Sequence, residues 1–162
     1  MFEKGDEIVY PNHGAGVIIA IETKKILDDK KQYYIIKLSI AEMKIMVPVE
    51  KVDEIGIREV IDSKEAENIM LLLKGEKSEM SENWRSRYRE NMEKLKTGDA
   101  FEVGEVVRNL SLRDREKGLA TTEKQMLSAA KQTLISELML ANNKDEKESK
   151  NMIEEIFDIN DD

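Results

Sequence analysis

Over the first fifty positions apolar and polar residues alternate in short runs, the period-two pattern of half-buried strands. "GDEIVYP" reads as a strand stopped by Pro11, and "NHGAG" as a turn supplied with glycines at 14 and 16. "VIIAIETKKIL" follows, then "DDKK" as a polar loop, then "QYYIIKLS" and "MKIMVPV". Four or five strands with short connections predict a small, strongly bent sheet or barrel, and a unit of this length buries only a modest core.

From Ser63 the period lengthens to that of a helix. "SKEAENIMLLLKG" opens on a capping residue and closes at Gly75, a natural helix stop. "KSEMSE" (77–82) is polar and reads as a linker. Four helical segments are expected beyond it: 83–96 before "TGD", 99–117 ending ahead of Gly118, 122–141, and an acidic one over 145–159. The spacing of Thr122 to Gln125 fits a capping box, and Met152, Ile153, Ile156 and Phe157 recur at helical intervals in the last segment. Strands first and helices second give an α+β chain with a β unit over 1–60, a connecting helix and linker over 61–82, and an all-α unit over 83–162.

Composition narrows the function classes. The chain of 162 residues has no cysteine and one histidine, so disulfides, thiolate chemistry and a structural zinc site are all disfavoured. "GAG" (14–16) lacks the third glycine and the following helix of a dinucleotide fingerprint, and no serine stands in a nucleophile elbow. His13 sits in a turn and reads as a structural or surface residue. No run approaches a membrane span and the start carries no secretory pattern. The expectation is a cytoplasmic, non-enzymatic protein with no cofactor and no metal.

A formal net charge of -8 argues against wholesale binding of polyanions, yet the charge is unevenly spread. Residues 84–131 carry 11 basic and 8 acidic side chains, whereas 132–162 carry 3 and 9. The positive segment opens with "NWRSRYRE" (83–90), which holds the only tryptophan. At about 100° per residue, Trp84, Tyr88, Met92 and Leu95 fall on one stripe, flanked by Arg85, Arg89 and Lys96 on one side and by Arg87 and Lys94 on the other. One interpretation is an amphipathic helix that buries Trp84 against its neighbours. The other is a wedge: an indole in a first helical turn, collared by guanidinium groups, that stacks on bases while arginines hold phosphate. Arg113, Arg115, Lys117, Lys124 and Lys131 add positive charge further along.

"GDEIVYPNHGAGVI" (5–18) closely resembles the opening signature of the CarD/CdnL family of bacterial transcription regulators, whose N-terminal module is shared with the transcription-repair coupling factor. "NWRSRYREN" (83–91), "TGD" (97–99), "EVVRNL" (105–110), "RDREKGL" (113–119) and "EKQML" (123–127) resemble that family's helical domain in order and spacing. The resemblance implies a Tudor-like β domain that docks on the lobe of the RNA polymerase β subunit. It implies a helical domain that meets promoter DNA in the minor groove at the upstream edge of the bubble and so stabilises the open complex. On that resemblance Trp84 is the wedge, Arg89 and Lys124 fall at the family's basic positions, and Arg85 and Arg87 lie beside the wedge. Lys24 falls at a polymerase-contacting position, and Met46 at a second one that is often arginine. A monomer suffices for such docking. The alternative is a protein-interaction adaptor that makes no direct DNA contact.

Overall fold

The computed structural model describes residues 1–158. Five antiparallel strands, β1 (Glu7–Tyr10), β2 (Gly14–Ile26), β3 (Asp29–Leu38), β4 (Lys44–Pro48) and β5 (Arg58–Glu59), form one sheet in the order β4-β3-β2-β1-β5. The sequence pattern does not show a 3-10 turn at Val49–Lys51 or the short helix α1 (Val52–Ile55), which together carry the chain from β4 to β5. The glycines of "GAG" lie within β2, and the turn before it is Pro11–His13. Both are needed there. Gly14 has φ of 103°, and a Cβ on Gly16 would stand 2.5 Å from the Lys37 carbonyl across the β2–β3 ladder. A register shift between Ile18 and Ala20 bends β2, so that its far half pairs with β3 alone.

Residues two apart on a strand share a face, and one face of this sheet is the core: Ile8, Ile18, Tyr34, Ile36 and Val47 are buried on it with Val52 and Ile57. The register Lys24↔Lys31 and Ile35↔Met46 places Lys24 and Met46 together on the opposite face. Exposed apolar side chains gather in this unit: Ile26, Leu27, Met43 and Met46 are open to water, and Leu27 in the β2–β3 connection is 91% exposed.

The helices are α2 (Ser63–Leu73), α3 (Trp84–Lys96), α4 (Ala100–Glu116), α5 (Thr121–Asn142) and α6 (Glu146–Asp158). Three of their starts follow from side-chain capping. Asp62 with Glu65 closes a capping box on α2, Asn83 accepts from the amides of Arg85 and Ser86, and Asp99 accepts from those of Phe101 and Glu102. The stretch 61–82, expected as a connector, is part of the bundle. Ala66, Ile69 and Leu73 of α2 share its core with Val106, Val107, Leu110, Leu134, Leu138 and Ile153. The residues after α2 are tied down as well: Ser78 N–H donates to Asn109, and Arg108 donates to both the Leu72 carbonyl and Ser78 Oγ.

The two units meet along α5. Ser136 Oγ accepts from the Ala15 amide at 2.8 Å, and a Cβ on Gly14 would lie 2.9 Å from that same oxygen. Next to it, Arg58 donates from both terminal nitrogens to buried Glu137 at 2.7 and 2.8 Å, and from Nε to the Gly98 carbonyl. The Ile61 amide also donates to Glu137. Arg58→Ala leaves the Glu137 carboxylate with the Ile61 amide alone. The expected loss is about 3 kcal/mol in urea unfolding, the low end for a broken buried pair because Arg58 is partly in water. A loss near zero would show that the seam contributes little.

Candidate nucleic-acid interface

Trp84 opens α3, held in the first turn by the Asn83 cap. The residue is 39% exposed, so it is not sealed in the core, while Tyr88, Met92 and Leu95 on the same stripe pack inward against the bundle. The Arg85 guanidinium lies over the indole, 5.1 Å from the ring centroid. Arg85 and Arg89 are both exposed. Among the described residues neither has a carboxylate partner.

Arg87 requires a correction. Expected beside the wedge, it is 3% exposed and faces Glu123 of α5, which is fully buried. Nε and Nη2 each donate to a carboxylate oxygen of Glu123 at 2.7 Å, and Nη1 donates to the Ser81 and Glu82 carbonyls. The geometry is that of a bidentate strut, with no donors presented to solvent where DNA could take them. Glu123 also accepts from the Ala120 amide, which closes the start of α5 in place of the Thr122–Gln125 box expected there. Burial by itself pushes the Glu123 carboxyl up. The hydrogen bonds from Arg87 and Ala120, with the Arg87 charge, more than offset this and hold it below the usual carboxylate range. The Arg87 guanidinium is correspondingly raised, chiefly by its hydrogen bonds to Glu123.

The strut brings the first turns of α3 and α5 to one end of the bundle. Lys124 follows Glu123 directly and is exposed, but it lines a different hollow, with Asp114, Lys131 and Ile40. Trp84, Arg85 and Arg89 therefore line one groove, and Lys124 stands on the far side of the strut. Several other cations of this unit are engaged by carboxylates: Lys77 by Glu116, Lys94 by Glu105, Arg113 and Lys117 by Glu82, and Lys131 by Glu154. In the β unit, Lys24 makes a long contact of 3.7 Å with Glu22, and both are open to water. His13 packs its ring edge-on to Tyr10.

The CarD-like/TRCF RID domain matches residues 2–61, and the CarD C-terminal domain matches residues 68–154. The chain belongs to the CarD family. It is 44% identical over 150 residues to the "Putative transcription factor YdeB" of Bacillus subtilis (strain 168), a match that spans 93% of this chain and 98% of that protein. A solved structure, "CdnLNt from Myxoccoccus xanthus", is 34% identical, covers 38% of this chain and 86% of its own, and has a TM-score of 0.33. The CarD-family chain is thus a transcription regulator of the CarD/CdnL type. The family matches break between 61 and 68, around the start of α2, in keeping with that helix's place in the bundle core. Among the described residues no helix is long and apolar enough to cross a membrane.

Glu123 and Glu137 are the residues that sequence reasoning missed. Both are carboxylates on α5, in a chain that carries 34 Asp and Glu residues, and only their burial sets them apart. Because the Glu123 carboxyl is depressed in the fold, its contribution to stability is complete above the ordinary value of 4.5 and drains away as pH falls below it. Glu123→Gln should cost about 3–5 kcal/mol at neutral pH by leaving Arg87 buried without a counter-charge. The difference in urea stability between wild type and variant should shrink as pH is lowered from 5 toward 3, and a difference that stays constant over this range would contradict the strut.

Proposed function

We propose that this regulator docks on the RNA polymerase β subunit through its sheet and stabilises the open promoter complex by inserting Trp84 at the upstream edge of the bubble. The observation that carries the DNA half is the partly exposed indole in a first helical turn, with Arg85 and Arg89 without carboxylate partners among the described residues of a chain of net charge -8. An aromatic wedge reads a junction and its deformability, so no side chain has to reach base edges in the major groove. Arg89 contacts phosphate beside the wedge, and Lys124 does so from the other side of the Arg87–Glu123 strut. Arg87 acts through position only.

The polymerase half is supported by the outward sheet face. Lys24 and Met46 share it, and exposed Ile26, Leu27 and Met43 lie in the same unit. Several large apolar side chains open to water on a sheet of this size suit a protein partner. Docking also explains how an acidic chain works on DNA, because tethering turns a weak contact into an intramolecular one at high effective concentration.

Stacking one aromatic on a base is worth roughly 1–3 kcal/mol. A contact made only when the duplex is open shifts the closed-to-open balance by about five- to a hundred-fold. Trp84→Ala should therefore shorten open-complex lifetime by that factor, with its thermal unfolding midpoint and polymerase binding nearly unchanged. An unaltered lifetime would leave a docking adaptor as the better reading. Met46→Glu should do the reverse, weakening capture of the polymerase β subunit while the unfolding midpoint holds.

A further inference from the structure

The groove beside Trp84 does not end at the wedge. It runs along α3 with Trp84, Tyr88 and Met92 as its floor and Arg85, Arg89, Lys96 and one carboxylate, Glu93, on its rim, an open hollow of about 480 Å³. Thr122 from the start of α5 lines it too. Tyr88 and Met92 are only partly buried, with one side against the bundle core and the other on the groove. The rim charges are available. Arg85 and Arg89 have no carboxylate partner among the described residues, and Lys96 has only an exposed contact with Glu93 at 3.6 Å, one turn back. The row thus differs from Lys77 and Lys94 elsewhere on the bundle, which sit 2.7 and 2.8 Å from their carboxylates.

We infer that this groove is a track for one unpaired DNA strand, which it follows from the wedge at Trp84 to a terminal phosphate contact at Lys96. This deepens the wedge proposal and rests on it. An apolar, partly aromatic floor with a row of cations is how single strands are held without regard to sequence: bases lie on the π and thioether surfaces and phosphates meet the rim. The Arg85 guanidinium already covers one face of the indole, so a base stacks on the other. From Trp84 to Lys96 the helix rises about 18 Å, the length of roughly five stacked nucleotides at 3.4 Å each, and of fewer if the strand is stretched.

The absence of cysteine makes the test clean. Ser86→Cys, two residues on from the wedge and just off the groove, and Glu93→Cys, at the far end of the groove, are each coupled to a photoactivatable azidophenacyl group on the full chain. Each is then assembled with the cognate polymerase holoenzyme and promoter DNA. The track predicts cross-links from both positions to the same strand, those from position 93 displaced by up to about five nucleotides. Cross-links from position 86 alone would overturn the track and leave the wedge standing. Equal labelling of both strands from position 93 would also overturn the track. No cross-link from either position would sink the wedge reading and the track with it. As a second measurement, Lys96→Gln should flatten the log–log salt dependence of open-complex stability by about 0.7, the value of one single-strand phosphate contact. An unchanged slope counts against the track.

Discussion

The Arg87 guanidinium is withdrawn from water to meet a carboxylate that is itself fully buried, and the Trp84 end of the helical unit is arranged around that pair. Arg87 comes from the first turn of α3, and Glu123 from the first turn of α5, 36 residues on. Two parallel hydrogen bonds of 2.7 Å fix the relative rotation of the two helices more tightly than an apolar contact of equal area, because a fork has one geometry and a hydrophobic surface has many. The remaining donors of Arg87 hold the Ser81 and Glu82 carbonyls, and Glu123 closes the start of its own helix. One pair therefore sets the entry of the chain into α3, the start of α5, and the place of Trp84 between them.

With that end fixed, the charge distribution takes on meaning. An acidic chain binds polyanions poorly on average, but averages do not act at a surface where the Debye length is about 8–10 Å. Many cations of the bundle are matched with carboxylates from other segments, and among the described residues Arg85 and Arg89 beside the indole are not. The result is a narrow positive strip on a negative body. Such a body is not drawn to DNA at large, which suits a regulator delivered by a protein partner.

The second constraint is the seam along α5, where Ser136 and Glu137 receive the β unit through the Ala15 amide and Arg58. Gly14 matters here for a reason separate from the turn that precedes it: any side chain would strike Ser136 Oγ. The seam joins the face carrying Lys24 and Met46 to the end carrying Trp84 in one body, so a partner held by the sheet sets where the indole can reach.

Much of this was legible in the sequence. The change from period two to period three and a half located the sheet and the helices to within a few residues, and Asn83 and Asp99 marked helix starts because a short polar side chain is the local cap for free amides. The uneven charge and the lone tryptophan pointed to one end of the bundle. The wheel put Arg87 on the opposite flank of the stripe from Arg85 and Arg89, but the sequence could not say that this flank is buried. A helical wheel gives the angle of a side chain about one axis and says nothing of what stands opposite, so which flank meets a carboxylate and which meets water stays open until α5 is in place. The same limit hid the role of 61–82, whose apolar residues find their partners on α4 and α5 far along the chain. Local pattern therefore fixed the elements, their order and the residue types at the interface. Tertiary packing alone decided which arginine is a strut and which face water, because burial and pairing are set by residues distant in the chain.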